Sequence, residues 1–308
     1  MIAAGARPSG VLIVNPGAGR LSDERRLEIV DEVRRRCRVE VYETPQRDAG
    51  IEIAAQAADA GAPAVIAFGG DGLVNEVANG VAGTATALAI VPGGTMNVFA
   101  RALGIPPDPL AAVAALSERW ADVRTVPLGR MDGRYFTFSA GCGFDAEAAA
   151  RVERDHRSKR TFGELFFYWS AFRVLASTYR HRNPSMIVRG PFGEVPVAMA
   201  IGCNAGPYAY FAGRAVDLAP EVSLEGGLDV FALKSMRIEA LPFYAWRSVV
   251  SGDLVHHPDT FYASGLDGFE VSAAEPFARH VDGEPLEPAT SASLSVVPDV
   301  LKVRGAGA

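Results

Sequence analysis

The chain has 308 residues, of which 49% are hydrophobic and 21% are charged. This composition is typical of a globular protein with an ample core, and the length allows one large domain or two ordinary ones. The net charge of −6 argues against a nucleic-acid partner held by bulk charge, because phosphate backbones favour a basic face.

The first 120 residues alternate between predicted strands and predicted helices. The predicted helix over residues 22–36 has Leu27, Val30 and Val33 at helical spacing, and Ser22 can cap it. The alternation predicts a parallel sheet covered by helices. The predicted strands are 11–14, 39–42, 64–68 and 88–91, and the other predicted helices are 51–60, 73–81, 95–103 and 110–119.

The apolar runs become β-type from about residue 122. Asp132-Gly133 is a hairpin turn signal, and a helical pattern over residues 144–182 interrupts the runs. We therefore predict an α/β domain over residues 1–121 and a β-rich domain over residues 122–308, leaving open whether the C-terminal end returns to the first domain. The Gly/Ala tail at 305–308 is expected to fray. The predicted strands of this half are 123–131, 135–139, 185–188, 195–202, 228–233, 268–272 and 292–297.

Three glycine-rich loops follow predicted strands of the first domain: NPGAGR at 15–20, GGDG at 69–72 and PGGTMN at 92–97. Open α/β sheets bind ligands at the carboxyl ends of their strands. Glycines let main-chain N–H groups approach a phosphate, and a helix N-terminus adds a positive dipole end, here near Gly72 and near Thr95. Three such loops favour a phosphate site, although glycine after a strand is also ordinary turn chemistry.

The type of phosphate ligand depends on Asp71. The chain has neither the Walker spacing nor the GxGxxG dinucleotide spacing. An acid inside a phosphate cradle repels the ligand unless a cation or a reacting proton lies between them. Asp71 therefore indicates Mg²⁺ bridging or acceptance of a substrate hydroxyl proton, both of which belong to phosphoryl transfer. The alternative is that Asp71 only caps the following helix.

Four stretches in order resemble the diacylglycerol kinase catalytic family: Asn15-Pro16 with Gly19, GGDGLVNEVANG at 69–80, PGGTMNVFAR at 92–101 and HVDGEP at 280–285. That family includes soluble bacterial lipid kinases and the sphingosine and ceramide kinases. The resemblance implies an α/β fold, with an N-terminal Rossmann-like, NAD kinase-like α/β domain, a C-terminal β-sandwich domain and an active site in the cleft between them. It also implies an ATP- and Mg²⁺-dependent kinase that phosphorylates a lipid hydroxyl, on diacylglycerol or a related lipid such as a sphingoid base.

The resemblance also implies which residues bind the nucleotide. Leu73 stands where the family usually has threonine, so one hydroxyl that could touch phosphate is missing. Sphingosine kinases also have leucine there, so this departure does not exclude activity. The implied residues are Asn15, Pro16, Gly17, Gly19, Thr44, Gly69, Gly70, Asp71, Gly72, Leu73, Asn75, Thr95 and Asn97.

Glu284 matches the position of the family's proposed general base. A carboxylate there could take the proton of a lipid hydroxyl as that hydroxyl attacks phosphorus. In the sphingosine branch the acid of the GGDG loop has that role, so Asp71 is the competing candidate. The structural alternative is that Asp282-Gly283 forms a hairpin turn and Glu284 faces solvent.

Bacterial members carry a Mg²⁺ site in the second domain, and residues 216–230 match it. The resemblance assigns its carboxylate to Glu221 and its carbonyls to Leu218 and Ser223. The family usually has aspartate at the position of Glu221. Because Mg²⁺ demands good geometry, the longer glutamate side chain puts this site in question.

The segment FGELFFYWSAFRVL at 162–175 contains six aromatic residues and is flanked by arginines. It could rest on an anionic membrane surface or pack on the β-rich domain. We see no signal peptide and no apolar run of membrane-spanning length, and the three separated cysteines favour a reducing compartment. We therefore expect a cytoplasmic protein that contacts the membrane peripherally, if at all.

Two other functions stay open at this stage: an NAD kinase-like enzyme, and a lipid-binding or regulatory protein with weakened catalysis. The aromatic segment and the Asn15-Pro16 turn argue against the first. Leu73 and Glu221 support the second, whereas Asp71, Thr95, Asn97 and Glu284 argue against it. The sequence indicates neither the lipid nor the oligomeric state.

Overall fold

The computed structural model describes residues 7–17, 21–44, 46–147, 185–211, 214–235, 244, 247 and 254–307. The chain forms two compact units, one of Met1–Leu128 with Pro298–Ala308 and one of Gly129–Val297. Within the described residues, no helix is both long enough and apolar enough to span a membrane.

The first unit contains a parallel sheet in the order β4-β3-β1-β2. Every residue of β3 and β4 is buried, as expected for central parallel strands covered on both faces. This confirms the α/β interpretation of the sequence. The four strands are β1 (Ser9–Val14), β2 (Arg38–Glu43), β3 (Ala64–Gly69) and β4 (Ala87–Pro92).

Helices follow these strands. The oxygen of the Ser22 side chain accepts the Arg25 N–H at 3.2 Å and caps the first helix, as predicted. The fourth helix begins at Val98 rather than near Thr95, so Thr95 belongs to the preceding loop. The helices are α1 (Asp23–Arg36), α2 (Ala49–Asp59), α3 (Asp71–Val81), α4 (Val98–Ala102) and α5 (Pro109–Glu118).

The buried face of α1 does not include Leu27, one of the three residues whose spacing predicted the helix. Leu27 is 60% exposed, whereas Ile29, Val30 and Val33 are buried. Leu27 precedes Ile29 by two residues, which places the two side chains about 200° apart around the helix. The buried stripe of α1 is therefore centred on Ile29 and Val33, and Leu27 lies outside it.

The second unit contains an antiparallel sheet in the order β14-β13-β10-β7-β15-β16, with the β8–β9 hairpin beside β15. The strands of this half of the chain are β5 (Val123–Met131), β6 (Arg134–Phe136), β7 (Ser139–Gly143), β8 (Met186–Gly190), β9 (Gly193–Val197), β10 (Met199–Cys203), β11 (Ala209–Phe211), β12 (Arg214–Val216), β13 (Leu228–Leu233), β14 (Thr260–Leu266), β15 (Gly268–Val281) and β16 (Glu284–Arg304). A separate two-stranded sheet pairs β11 with β12. β5 begins in the first unit, and β16 ends there.

Two strands that the sequence predicted as continuous are divided. The run at 135–139 breaks after Phe136 because the N–H groups of Thr137 and Phe138 turn toward the Asp282 carboxylate. The run at 195–202 breaks at Ala198 between β9, which pairs with β8, and β10, which pairs with β13. The Ala198 N–H donates to Leu233 O of β13 at 2.8 Å. β14 was not predicted, and β15 and β16 are longer than expected.

Side chains of this sheet alternate between two apolar clusters. On β10, Ala200 belongs to one cluster, whereas Met199 and Ile201 belong to the other. On β13, Val230 and Phe231 are divided in the same way. Such alternation is expected of strands that are covered on both faces.

The glycine-rich C-terminal tail is ordered as far as residue 307, so the expectation of fraying was wrong for that part. Gly307 N–H donates to Leu103 O at 2.8 Å, and Gly305 N–H to Asp122 O at 3.4 Å. A Cβ on Gly307 would lie 3.1 Å from Gly104 O. Because the tail packs this closely against main chain, its glycines serve packing rather than flexibility.

Candidate active site

The three glycine-rich loops of the first unit lie at one edge of its sheet. β1, β3 and β4 are parallel and neighbouring, so their carboxyl ends meet there. Main-chain hydrogen bonds join these ends: Asn15 N–H to Phe68 O at 3.3 Å, and Gly93 N–H to Gly69 O at 2.8 Å. We call this region the glycine-loop edge, residues 15–17, 69–72 and 92–97.

Two of the loops touch through their main chains. A Cβ on Gly94 would lie 2.6 Å from the Cα of Gly70, and one on Gly93 would lie 3.3 Å from the Cα of Gly69. Contacts below 3.0 Å between a Cβ and main chain do not occur without a shift, so Gly94 is required by packing alone. A Cβ on Gly70 would instead sit at an ordinary 3.4 Å from Gly94. Packing therefore leaves room at Gly70 for a side chain, and its lack of one has another cause.

Asn97 braces the third loop. Its backbone has φ 48° and ψ 51°, a left-handed conformation that asparagine tolerates better than most residues. Its Oδ1 accepts the Gly94 N–H at 3.0 Å, and its Nδ2 donates to Gly94 O at 2.8 Å. Because both ends of this buried amide bind Gly94, Asn97 shapes the loop, while Thr95 is exposed at the loop surface.

Asp71 is the first residue of α3. The N-cap of that helix is Gly70, which makes no side-chain cap bond, so Asp71 does not occupy the capping position. A carboxylate in the first turn is stabilised by the positive end of the helix dipole. Asp71 is partly buried, and its Oδ1 atom is shielded from solvent. The side chain thus stands beside the main-chain amides of residues 69–72.

Three predicted nucleotide contacts point away from the surface. Leu73 is 3% exposed and packs against Gly69 and Gly50. Asn75 has no exposed surface, and its Oδ1 accepts from Asn79 Nδ2 at 3.1 Å. The Thr44 hydroxyl is buried, 3.5 Å from Val14 O. The structure brings these residues to the glycine-loop edge but not their side chains to its surface.

The first loop is partly described. Asn15 Oδ1 accepts the Gly17 N–H at 2.9 Å, which closes an Asx-type turn. Pro16 and Gly17 are exposed, and Pro16 O accepts from Arg26 Nη1 at 3.2 Å. Gly19 lies outside the described residues, as does the aromatic segment at 162–175 with its flanking arginines.

Glu76 has a structural role that no sequence pattern predicted. Its Oε1 accepts the Asp48 N–H at 3.0 Å and its Oε2 accepts the Gly50 N–H at 2.8 Å, so α3 caps the start of α2. Asp48 itself has φ 64° and makes no side-chain cap bond. The partners are 26 and 28 residues apart, and the local capping patterns therefore do not reveal them.

The second unit contributes the Asp282-Gly283 turn between β15 and β16. Asp282 has φ 49° and Gly283 has φ 83°, and Val281 pairs with Glu284. Two positive φ angles in a two-residue loop define the type I′ hairpin that the sequence offered as the structural alternative. Glu284 follows this turn directly and is partly buried.

The Asp282 carboxylate is buried among hydrogen-bond donors of residues 137–139, which we call the Asp282 nest. The sequence did not predict this role. The carboxylate accepts main-chain N–H groups from Thr137 at 2.7 Å, from Phe138 at 3.0 Å and from Ser139 at 3.0 Å. The Thr137 hydroxyl adds a fourth bond at 2.8 Å. Successive N–H groups form an anion-binding concavity, so here the chain binds its own carboxylate and fastens the turn that carries Glu284.

The residues of the expected metal site are close in sequence but are already engaged. Glu221 is exposed, and its Oε2 accepts the Ser264 hydroxyl at 2.6 Å, while Ser223 O accepts the Gly226 N–H at 3.0 Å. Leu218 has a buried side chain. Among the described residues, no group of three or more histidine, cysteine, aspartate or glutamate side chains could hold a metal ion. The expected donors are all oxygen atoms, which is the ligand type Mg²⁺ prefers.

A buried carboxylate lies next to this region. Tyr262 O–H donates to Asp229 Oδ2 at 2.5 Å, and Gly265 N–H donates to its Oδ1 at 3.1 Å. Burial raises the pKa of Asp229 above its usual value, and these two hydrogen bonds oppose the rise. Desolvation is also the main reason why the pKa of Tyr262 is raised.

Parallel strands with glycine-rich loops at their carboxyl ends are typical of a phosphate-binding α/β unit. A family model described as the diacylglycerol kinase catalytic domain matches residues 9–152. A probable YegS-like lipid kinase of Pseudomonas aeruginosa is 31% identical, with 84% of this chain and 86% of the relative covered. A diacylglycerol kinase of Bacillus subtilis is 29% identical over 71% of this chain and 70% of its own length.

Solved structures show the same fold. A crystal structure of a putative diacylglycerol kinase from Bacillus anthracis matches with a TM-score of 0.76, covering 98% of this chain and 97% of that chain at 21% identity. The chain therefore belongs to the diacylglycerol kinase catalytic family, a family of phosphotransferases. The resemblance read from the four sequence motifs is confirmed.

Proposed function

We propose that this protein is an ATP- and Mg²⁺-dependent lipid kinase that transfers the γ-phosphoryl group to a lipid hydroxyl. The glycine-loop edge carries this proposal, because the strand ends present main-chain amides and a helix N-terminus with an acid among them. The names of the relatives favour diacylglycerol or a related lipid as acceptor, and a sphingoid base is the second candidate.

The chain's own groups suit a triphosphate. The N–H groups of residues 69–72 open α3, where a negative ligand is favoured by the helix dipole. The exposed Thr95 supplies a hydroxyl on the adjoining loop, which Asn97 holds in place. Pro16 and Gly17 offer exposed main chain at the end of β1. Thr44, Leu73 and Asn75 support this surface from behind.

In this mechanism Glu284 accepts the proton of the attacking lipid hydroxyl. The alcohol oxygen forms a bond to the γ-phosphorus as the bond to the β–γ bridging oxygen breaks, and ADP leaves. The rigid hairpin favours this assignment, because a base acts efficiently only when it is held in reach of the proton. Asp71 lies among the phosphate-binding amides, where a carboxylate suits the cation of a metal–nucleotide complex, and it is the alternative base.

The glycine-loop edge and the region around Glu221 both offer oxygen donors, the ligand type that Mg²⁺ prefers. When bound, Mg²⁺ neutralises charge on the transferring phosphoryl group. Asp71 is the carboxylate that would hold it at the glycine-loop edge. Glu221, with the carbonyls of Leu218 and Ser223, would hold a second ion in the other unit. Glu221 would then have to share its carboxylate between the ion and the Ser264 hydroxyl.

The test is a lipid panel with labelled ATP, run on the wild type and on the Asp71→Asn and Glu284→Gln variants. Loss of the general base costs about 10²- to 10⁴-fold in turnover, and we expect both variants to fold. Glu287→Gln is the matched control, since Glu287 is exposed on the same strand. Full turnover in both variants would remove the mechanism.

A second candidate is a lipid-binding or regulatory protein with weakened catalysis. It is favoured by Leu73, whose side chain fills the core rather than presenting a hydroxyl to phosphate, and by the engagement of Glu221 with Ser264. Thermal stabilisation by ATP and Mg²⁺ without turnover of any lipid in the panel would select it. A cytoplasmic location remains a prediction. Peripheral membrane contact through residues 162–175 is a second prediction, which vesicle sedimentation would test.

A further inference from the structure

A buried row of three side chains ends at the turn that carries Glu284. Tyr208 O–H donates to Asp145 Oδ1 at 2.5 Å, and the Asp145 Oδ2 atom lies 2.5 Å from His280 Nε2. The Gly283 N–H then donates to His280 Nδ1 at 3.1 Å. His280 is 2% exposed and Asp145 is 6% exposed.

The hydrogen bonds define the tautomer of His280. Because Nδ1 accepts from a main-chain N–H, its proton is absent and the remaining ring proton is on Nε2. That proton is donated to Asp145, whose other oxygen accepts from Tyr208. Asp145 and Tyr208 together therefore fix the orientation of the ring and leave Nδ1 as an acceptor for the turn.

The fold makes room for this arrangement. His280 is the register partner of Gly141 on the neighbouring strand. A Cβ on Gly141 would lie 2.2 Å from Asp145 Oδ2 and 2.3 Å from His280 Nε2. Burying a carboxylate and an imidazole costs desolvation energy that an apolar pair would not cost. Burial of Asp145 and His280 therefore costs more desolvation free energy than burial of an apolar pair, which indicates a role other than filling the core.

Gly283 is the least closely packed residue of the turn. It is exposed, has φ 83°, and a Cβ there would meet no atom within 4 Å. The Asp282 nest fastens the residue before it, and the hydrogen bond to His280 fastens its own peptide. The donating Gly283 N–H belongs to the peptide between Asp282 and Gly283, and Glu284 follows one residue later, so the hydrogen bond to His280 restrains the main chain that leads into Glu284.

We propose that His280 is a positioning residue for Glu284, with Asp145 and Tyr208 holding its ring. This inference rests on the proposed function, in which Glu284 is the general base. A misplaced base loses turnover without losing substrate affinity, because proton transfer depends on sub-ångström geometry.

Two substitutions separate the contributions of the two ring nitrogens of His280, Nδ1 and Nε2. His280→Asn keeps an acceptor near the position of Nδ1 but loses the partner of Asp145. His280→Gln keeps a donor near the position of Nε2 but loses the acceptor for Gly283. We expect the asparagine variant to have about a tenfold higher kcat than the glutamine variant, with similar KM values for ATP and lipid and similar melting temperatures.

Hydrogen exchange of the Gly283 amide gives a readout that does not depend on turnover. Its exchange should accelerate in His280→Gln and stay slow in His280→Asn. Equal kcat losses in the two variants, or losses that follow their melting temperatures, would overturn the positioning role. So would unchanged Gly283 exchange in His280→Gln.

The Glu284→Gln variant distinguishes this inference from the proposed function. If Glu284→Gln keeps wild-type turnover, the assignment of the base fails and the inference fails with it, even when Gly283 exchange responds to His280. If Glu284→Gln loses turnover while both His280 variants match the wild type, the base stands and the positioning role is refuted.

Discussion

The glycine-loop edge and the Asp282-Gly283 turn are built in opposite ways. At the edge, Gly70 and Gly94 meet main chain to main chain, and the lack of side chains makes the close approach possible. At the turn, one carboxylate gathers four hydrogen bonds and holds the main chain through a side chain.

Under the proposed function, the difference follows from the groups that each region would present to a ligand. An edge that presents N–H groups to phosphate must keep its own side chains out of the way. A turn that presents one carboxylate must instead fix the peptide before it. The comparison predicts that substitutions at the turn cost more folding stability, whereas substitutions at the edge cost more nucleotide affinity.

Asp282→Ala should have the largest effect on stability. It leaves three buried main-chain N–H groups and one hydroxyl without their acceptor, and each such group costs about 1–3 kcal/mol. We expect the free energy of unfolding to fall by at least about 3 kcal/mol, measured by urea denaturation.

Thr137→Val is the control for that variant, because it removes only the hydroxyl donor from the nest. It should cost about 1 kcal/mol. If the two variants destabilise the protein equally, the main-chain nest contributes nothing and the contrast between the two regions disappears.

Gly94→Ala and Gly70→Ala test the edge from its two sides. The first places a Cβ 2.6 Å from Gly70 Cα and should cost about 1–3 kcal/mol of stability. The second meets an ordinary contact of 3.4 Å, so we expect a nearly unchanged melting temperature. If the proposed function holds, Gly70→Ala should also lose most of its stabilisation by ATP with Mg²⁺, because the added methyl group would occupy the space proposed for phosphate. Equal melting temperatures in the two variants would show that loop packing does not require Gly94.

Glu76→Ala should have an intermediate effect, because the first N–H groups of α2 lose their acceptor. Loss of a helix cap costs about 0.5–2 kcal/mol. Glu52→Ala is the control, since that carboxylate lies in the first turn of the same helix and is exposed. Chemical denaturation should separate the two variants, and a similar loss in both would assign the effect to charge near the helix N-terminus rather than to the cap.

Asp229→Asn should show the smallest effect, visible as a change with pH. Burial raises the folded-state pKa of Asp229 above 3.8, so the folded wild type loses stability as pH rises from that value through the folded pKa. Asparagine does not ionise and escapes this loss. The stability of the variant relative to the wild type should therefore increase between pH 4 and pH 7, and a constant difference would contradict the raised pKa.

Local signals allowed much of the fold to be predicted. The helix cap at Ser22, the hairpin at Asp132-Gly133 and the alternation of strands and helices each depend on a few neighbouring residues, and each appears in the structure. The family motifs placed the glycine loops and the Asp-Gly-Glu turn for the same reason.

Contacts between residues that are distant in the sequence could not be predicted from local patterns. The Asp282 nest joins residues 143 to 145 positions apart, and the cap from Glu76 spans 26 or more. The motifs also did not predict whether each of their side chains points to the surface or to the interior. Leu73 and Asn75 stand beside Asp71 in the sequence, but tertiary packing turned both into the interior.

Because residues 298–308 belong to the first unit, that unit cannot be completed until the second unit has been synthesised. The first unit needs Pro298–Ala308 as well as its own N-terminal residues, and Val303 lies beside Leu88 of β4. During synthesis the ribosome delivers those last residues only after the whole second unit has been translated. The first unit, although its strands β1 to β4 are translated first, is thus completed after the second unit, and loss of residues 298–308 would remove the neighbour of β4 at Val303.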